Sequence, residues 1–413
     1  MKRGAQSRPQ DKTPQRHAQR RLLRVLDRPP GGPVRRREAR GRRIDEARVR
    51  QPQDTRSTVS RRVRVGVIGL GRVAQLHHLP NLAQSRRVEI SAVCDLSRDL
   101  TAAVAHTYGL PARAVALSAD DLMSRDLDAV LIANRHHAPL IQRALEVGLH
   151  VMVEKPVCWG IDEAVALEKL ERSSRSSVVV GYMKRYDPSF ARLLGGEAPP
   201  VLVRLHVFAG ARHKQERLHQ RIKGHDTTDH DAEAESAAVD SQIAMTLGST
   251  AVDRVKDVRT LTELAVHDLN LGRTLVGPIT VREAFRFATP FGPGFLAVMS
   301  ASGTPVHLEV VPDFETASDW DETLTAFYPG AATELRFGSP FRRSAPTVTH
   351  ERCTVGTDVV RREVIASYDS AYRLEVEHFI DCALDLAESR TPISDAVADL
   401  ALIYEIAALL KDL

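Results

Sequence analysis

Three small residues at fixed spacing, Gly69, Gly71 and Ala74 in Val63-Arg-Val-Gly-Val-Ile-Gly69-Leu-Gly71-Arg-Val-Ala74, are the first with a specific chemical use. The first glycine permits a tight turn, and the second lets the backbone approach a pyrophosphate. The alanine lets the next helix pack close to the preceding strand. Amides at that helix N-terminus then point at the phosphates. Glycines also mark ordinary turns, so the neighbours must decide. Asp95 lies 24 residues beyond Gly71, at the end of the apolar run Val88–Cys94. A carboxylate there accepts from the ribose hydroxyls of an adenine dinucleotide and repels a 2′-phosphate, which favours NAD. Arg98 would soften that repulsion and leaves NADP as the alternative cofactor. The non-binding alternative is that Asp95 caps the helix starting near Ser97.

Such a loop needs a buried strand before it and a helix after it. Alternating valines over 63–67 read as the strand, and 73–83 as the helix. The alternation then continues: Ala129–Ala133 as strand, His137–Val147 as helix, Val151–Val153 as strand, Ile161–Glu171 as helix and Ser177–Val180 as strand. That order predicts an α/β fold opening with a doubly wound parallel sheet, a Rossmann domain over 63–185.

From Val201 the pattern changes. Val201–Phe208, Phe295–Met299, Val306–Val311, Thr323–Phe327, Glu334–Phe337 and Val359–Ile365 read as strands without long helices between them. A C-terminal α+β domain over 186–413 follows, with a large, mostly antiparallel sheet. Tyr372–Ser389 and Ser394–Leu410 have helical apolar spacing and are expected to pack back onto the core.

The chain of 413 residues is 43% hydrophobic and 27% charged, with no apolar stretch long enough for a membrane span, which excludes an integral membrane protein. Cys94, Cys158, Cys353 and Cys382 lie far apart with no CxxC pair, which speaks against a zinc module or disulfide scaffold and fits the cytoplasm. The net charge of +4 hides an asymmetry: residues 1–62 carry 20 Lys/Arg against 6 Asp/Glu, and the rest is net acidic. This basic arm, rich in proline and poor in aromatics, reads as a disordered tail or an early translation start. Contact with nucleic acid or a targeting role is the lesser reading.

Several blocks taken together resemble one family. Asn134-Arg-His-His137, Gly148-Leu-His-Val-Met-Val-Glu154-Lys155-Pro156, Gly181-Tyr-Met-Lys-Arg185-Tyr-Asp-Pro188, Glu263-Leu-Ala-Val-His267-Asp-Leu-Asn and Tyr372-Arg-Leu-Glu-Val-Glu-His-Phe-Ile-Asp381 are similar to signature blocks of the Gfo/Idh/MocA oxidoreductases. That family is named for glucose–fructose oxidoreductase and inositol dehydrogenase. The resemblance implies that Lys155 is the central catalytic residue and His267 its acid/base partner, with Glu263 one helical turn earlier as orienter. The family commonly has aspartate where this chain has Glu263. The extra methylene can displace the histidine by about 1 Å, enough to matter for rate. The resemblance also carries Asn134, His137 and Glu154 to the cofactor side. For His137 a structural histidine at a helix start is an equal alternative, and Arg185 is either a hinge organiser or a surface charge.

The chemistry does not depend on the name. Oxidising a secondary alcohol requires a base for its hydroxyl proton while hydride leaves. A lysine titrating near 10.4 is too basic unless desolvation and a neighbouring positive charge lower it. By resemblance the chain is an NAD(P)-dependent oxidoreductase acting on a secondary alcohol or ketone of a small polyol or sugar substrate (a cyclitol, a sugar or a nucleotide-sugar), and the assembly is a homodimer or homotetramer. Residues 211–250 are a polar insertion holding His213, His219, His225 and His230 among aspartates. Their spacing matches no metal motif, so a solvated helical lid over the substrate is expected, with no metal. Alternatives on the same scaffold are an NAD-dependent glycosidase and a non-catalytic nucleotide- or sugar-binding regulator.

Overall fold

The computed structural model describes residues 61–196, 198–210, 220–226, 229–248, 252–312, 320–343 and 345–413. Of the basic arm only Arg61 and Arg62 fall within these residues, and the expectation for the remainder lies outside them, as do those for His213 and His219.

β1 (Val63–Ile68), β2 (Val88–Cys94), β3 (Ala129–Ile132), β4 (His150–Val153) and β5 (Val178–Val180) form one sheet in the order β2-β1-β3-β4-β5. Every neighbouring pair is parallel. Both faces are covered, so β3 and β5 are buried along their whole length, as continuous apolar runs require. One face carries α1 (Leu79–Gln84), α2 (Arg98–Thr107) and, from the far end of the chain, α3 (Ala371–Ala383). Leu79, Leu82, Val104, Val376 and Phe379 make that core. The other face carries Ala138–Glu146, Ile161–Ser173 and the C-terminal helix Ile393–Leu409. The two C-terminal helices pack back onto the core as their apolar spacing predicts.

The strands of the second sheet are β6 (Leu202–Ala209), β7 (Thr280–Thr289), β8 (Gly292–Ala301), β9 (Thr304–Val311), β10 (Trp320–Tyr328), β11 (Ala331–Phe337), β12 (Val348–Val355), β13 (Asp358–Ile365) and β14 (Leu410–Asp412). Their order is β13-β12-β11-β10-β6-β9-β8-β7-β14. Pairs β6–β9 and β7–β14 are parallel and the others antiparallel. One face packs toward the first sheet, giving the alternating burial of β8 and β9.

Two expectations change in detail. The helical run expected over Leu261–Leu275 is two helices, Val255–Leu264 and Val266–Val276, meeting at the buried Ala265. The insertion does contain a helix, Asp229–Leu247, but Val239 and Ile243 are buried in the main core. It is a docked helix with one apolar edge and not a wholly solvated lid.

Candidate active site

Gly69 closes β1 at the point where the strand order reverses between β1 and β3. Its amide donates to Cys94 O at 2.9 Å, and Ala133 N donates to Ile68 O at 2.7 Å. Its φ is +86°, and an added Cβ would sit 2.4 Å from the backbone nitrogen of Asn134. Gly69→Ala is therefore strained both by conformation and by contact. It is expected to lower the melting temperature and weaken nucleotide binding together, and unchanged melting and titration curves would contradict this. Around Gly71 an added Cβ would meet nothing within 4 Å, which leaves open space above the loop. Ala74 is fully buried where the helix meets the sheet. Asp95 accepts from Leu70 N at 2.7 Å and from Ser97 N at 3.0 Å, so it braces the glycine loop from the end of β2. Buried Asn134 Oδ1, beside Gly69, has no hydrogen-bond partner among the described residues. The open loop, the carboxylate at the end of β2 and the orphaned amide oxygen fit a dinucleotide.

The helix after the loop starts with a wide turn over Ala74–His78, and its cause is local. Pro80 has no N–H for Leu76 O, and Leu79 N bonds back to Ala74 O, one residue further than in an α-helix. The carbonyls of Gln75 and Leu76 are thereby freed. Arg343 takes both, at 3.2 and 2.7 Å. The wide turn also rotates His77 and His78 inward. His77 stacks on Tyr372 with ring centroids 3.7 Å apart, and its Nε2 lies 2.7 Å from Pro340 O. Burial pulls its pKa to about 4, so the ring is neutral. His78 Nε2 lies 2.6 Å from Glu154 Oε1. Burial pushes the Glu154 carboxyl up, but the His78 hydrogen bond and the neighbouring charges outweigh it and hold the group below its usual range. Glu154 thus turns toward His78.

Lys155 follows β4, and its peptide with Pro156 is cis. Its Nζ donates to the main-chain oxygen of Glu263 at 2.6 Å. That carbonyl lies in the last turn of Val255–Leu264, where helix carbonyls lose their intrahelical partners and attract cations. Burial is the main reason that the Lys155 pKa falls. Glu154 and Glu263 oppose the fall and Lys184 assists it. His267 opens the next helix. Its pKa is pushed well down by burial, then by Lys155 and Lys184, so the ring is neutral. Its Nδ1 is buried with no hydrogen-bond partner among the described residues. Tyr182, after β5, meets the ring edge-on at 6.0 Å. Lys155, His267 and the backbone of Glu263 are thus brought together; the Glu263 side chain is exposed.

His137 lies behind the lysine. Nδ1 is 2.6 Å from Pro156 O, and Nε2 contacts Asn134 O. Burial lowers its pKa, and a neutral ring donates to only one of these carbonyls. The imidazole ties the end of β3 to the turn holding Lys155. Arg185 bonds Asn270 at 3.2 Å and Asp395 at 2.9 Å, joining the end of β5 to two helices of the second half.

The floor is charged, which the sequence did not signal. Lys184 pairs closely with Glu322 on β10 and lies 3.8 Å from Asp268 Oδ2 and 4.6 Å from the centroid of the Phe337 ring. Trp320 Nε1 donates to Glu322 at 2.9 Å. Lys184 and Asp268 stand inside the resembling blocks, adjacent to Arg185 and His267. Glu322 has no such marker.

The chain matches known proteins over both halves. Residues 63–182 match the model of an oxidoreductase family described by its NAD-binding Rossmann fold, GFO_IDH_MocA. Inositol 2-dehydrogenase 3 of Saccharopolyspora erythraea is 31% identical over 327 residues, covering 77% of this chain and 84% of that protein. Inositol 2-dehydrogenase/D-chiro-inositol 3-dehydrogenase of Shouchella clausii is 34% identical over 134 residues, covering 32% of this chain and 39% of that protein. Among solved structures, UDP-N-acetylglucosamine 3-dehydrogenase of Acidithiobacillus ferrooxidans aligns with TM-score 0.65 and 18% identity, over 84% of this chain and 97% of that one. A 3-ketoreductase of Actinomadura kijaniata, solved in complex with NADP, aligns with TM-score 0.63 and 16% identity over 85% and 99%. These structures share the fold.

Proposed function

Since this chain belongs to the Gfo/Idh/MocA oxidoreductase family, we propose that it moves hydride between NAD and a secondary alcohol or ketone of a cyclitol or sugar. When bound, the nicotinamide supplies the acceptor for hydride from the carbinol carbon. The observation that carries the reading is Lys155 Nζ, held by Glu263 O at the carboxyl ends of β4 and β5, where parallel sheets place ligands. Neutral Lys155 takes the hydroxyl proton as hydride leaves, and in reduction the ammonium returns it. His267 follows one turn after the carbonyl that holds Lys155, and its neutral ring, with Nδ1 unpartnered among the described residues, is in position to accept a hydrogen bond and relay that proton. Gly69, Gly71, Asp95 and Asn134 hold the dinucleotide. His137 and Glu154 act from behind, setting the turn that carries Lys155.

Absorbance at the NADH band, with NAD or NADP and a panel of inositols, aldoses and nucleotide-sugars, tests the reading. Reduction of NAD by one substrate class supports it. Bound NAD with no turnover across the panel would shift weight to a binding protein or to a redox-neutral reaction.

The direction of the Lys155 shift fixes the sign of the pH dependence. The base must be neutral for oxidation, so kcat/KM for alcohol oxidation is expected to rise with pH through a value below the ordinary lysine range and then level off. In reduction the same group must be protonated, and the rate falls through that value. A profile flat over neutral and alkaline pH would exclude Lys155 as the titrating group.

We further propose a homodimer or homotetramer. Val355 and Val359, on β12 and β13, are 60% and 64% exposed, an apolar surface suited to a second copy.

A further inference from the structure

Within the insertion, the segment of residues 220–226 lies across the edge of the cleft lined by the glycine loop and Asp95. Three independent contacts fasten it there. Gln75 grips Ile222 from both sides: its Nε2 donates to Ile222 O at 3.0 Å and its Oε1 accepts from Ile222 N at 2.9 Å. The same Nε2 reaches Leu70 O in the glycine loop at 2.7 Å. Gly224 then presses onto Ser97 so closely that an added Cβ would stand 1.9 Å from Ser97 Oγ and 2.7 Å from its Cβ. Only a glycine permits that approach. Asp226 finally reaches the N-terminus of α2. It accepts from the Ser97 hydroxyl, from Arg98 N at 2.7 Å and from Asp99 N at 3.2 Å.

The position matters because of what it adjoins. Asp95 Oδ1 accepts from Ser97 N, so Asp95 and Asp226 flank one serine. A carboxylate at the end of β2 meets the ribose 2′-hydroxyl, and the 2′-phosphate of NADP would project beside it. The groups ready to bind that phosphate are the Ser97 hydroxyl and the amides at the start of α2, and Asp226 already occupies them. It adds a negative charge where the phosphate would bring nearly two more.

We infer that Asp226 is a specificity-determining residue, which excludes a 2′-phosphate and makes this cleft select NAD over NADP. The inference rests on the dinucleotide reading above and extends it to a residue far from the glycine motif in sequence. The carboxylate acts on the adenosine end and touches no reacting atom. NAD, with a hydroxyl in place of the phosphate, leaves the Asp226 contacts intact.

Asp226→Asn tests the charge while keeping a carbonyl oxygen for the amides. Dissociation constants of NAD, NADP and adenosine 2′,5′-bisphosphate are measured by titration calorimetry on the full chain. The expected result is a gain of roughly tenfold to a hundredfold for NADP and the bisphosphate, with NAD changed by less than about threefold. In the unsubstituted protein the preference for NAD is expected to shrink as salt is raised. Equal gains for NAD and NADP would show a steric strap and overturn the specificity role, as would unchanged constants for all three. A purely structural role would lower the melting temperature without moving the NAD-to-NADP ratio, and this too overturns it. If neither protein binds any of the three, the cofactor reading fails and the inference with it. NAD binding with an unaltered ratio removes Asp226 alone.

Discussion

Lys155→Ala is expected to lower turnover by roughly 10²–10⁴, the range for loss of a general acid–base group, while NAD affinity stays nearly unchanged. The separation follows from the geometry. The residues proposed to hold the dinucleotide, Gly69, Gly71, Asp95 and Asn134, stand at the ends of β1, β2 and β3, whereas Lys155 stands at the end of β4. Truncating the lysine removes the bond to Glu263 O but leaves the glycine loop braced by Asp95. Lys155→Arg should not rescue, because a guanidinium keeps its charge at any accessible pH and cannot accept the proton. Stopped-flow binding beside steady-state turnover makes the check. An unchanged rate would take Lys155 out of the mechanism, and equal losses in NAD affinity and turnover would recast it as a binding residue.

The second large effect is on stability. Lys184, Glu322 and Asp268 are 6%, 2% and 0% exposed. Burial pushes the Asp268 carboxyl well up, against the pull of the Lys184 charge, and Lys184 with Glu322 is the closest ion pair of the three. Lys184→Met fits the aliphatic volume but removes the cation beside Glu322, leaving that buried carboxyl group with the Trp320 N–H and Asp268 as neighbours. Breaking a buried pair from one side costs about 3–5 kcal/mol. Lys184→Met is accordingly expected to destabilise by that amount, and adding Glu322→Gln to recover much of it. Urea denaturation of the single and double variants decides. A single variant as stable as the parent would show that water reaches the pair. Since the Lys184 charge depresses Lys155 and the Glu322 charge raises it, Lys184→Met alone should move the rising limb of the oxidation profile to higher pH, and adding Glu322→Gln should take back part of that move.

The first sheet is legible in the sequence because each strand is buried on both faces. Continuous runs such as Ala129–Ile132 and Val178–Val180 admit no other reading once helices alternate with them. In the second sheet β7 and β12 leave no such trace. β7 carries the exposed Arg282 and Glu283 side by side at an irregularity in its pairing, and β12, with His350, Glu351 and Arg352, pairs between neighbours without a dry face. Nothing in such strands alternates cleanly. The break at Ala265 is equally hidden, since both helices keep apolar residues in phase across it. At the site, Lys155 and His267 are marked by resemblance, but Glu322 and Asp226 are polar residues whose use depends on where the chain returns. The acceptor for Lys155 is a backbone carbonyl, a group carried by every residue and therefore invisible to any reading of side chains.

The wide turn over Ala74–His78 bears on the order in which the protein can be assembled. Two carbonyls in the helix after the dinucleotide loop are satisfied by Arg343, more than 260 residues later. His77 stacks on Tyr372, later still. The N-terminal half therefore emerges from synthesis with the helix after its glycine loop unfinished, and the contacts that complete it close loops of more than 260 residues. A nascent chain stopped before residue 340 would hold the glycine motif but not the finished turn. Nucleotide would then serve as a reporter of completion, captured firmly only after the residues from Pro340 onward have folded back onto the first sheet.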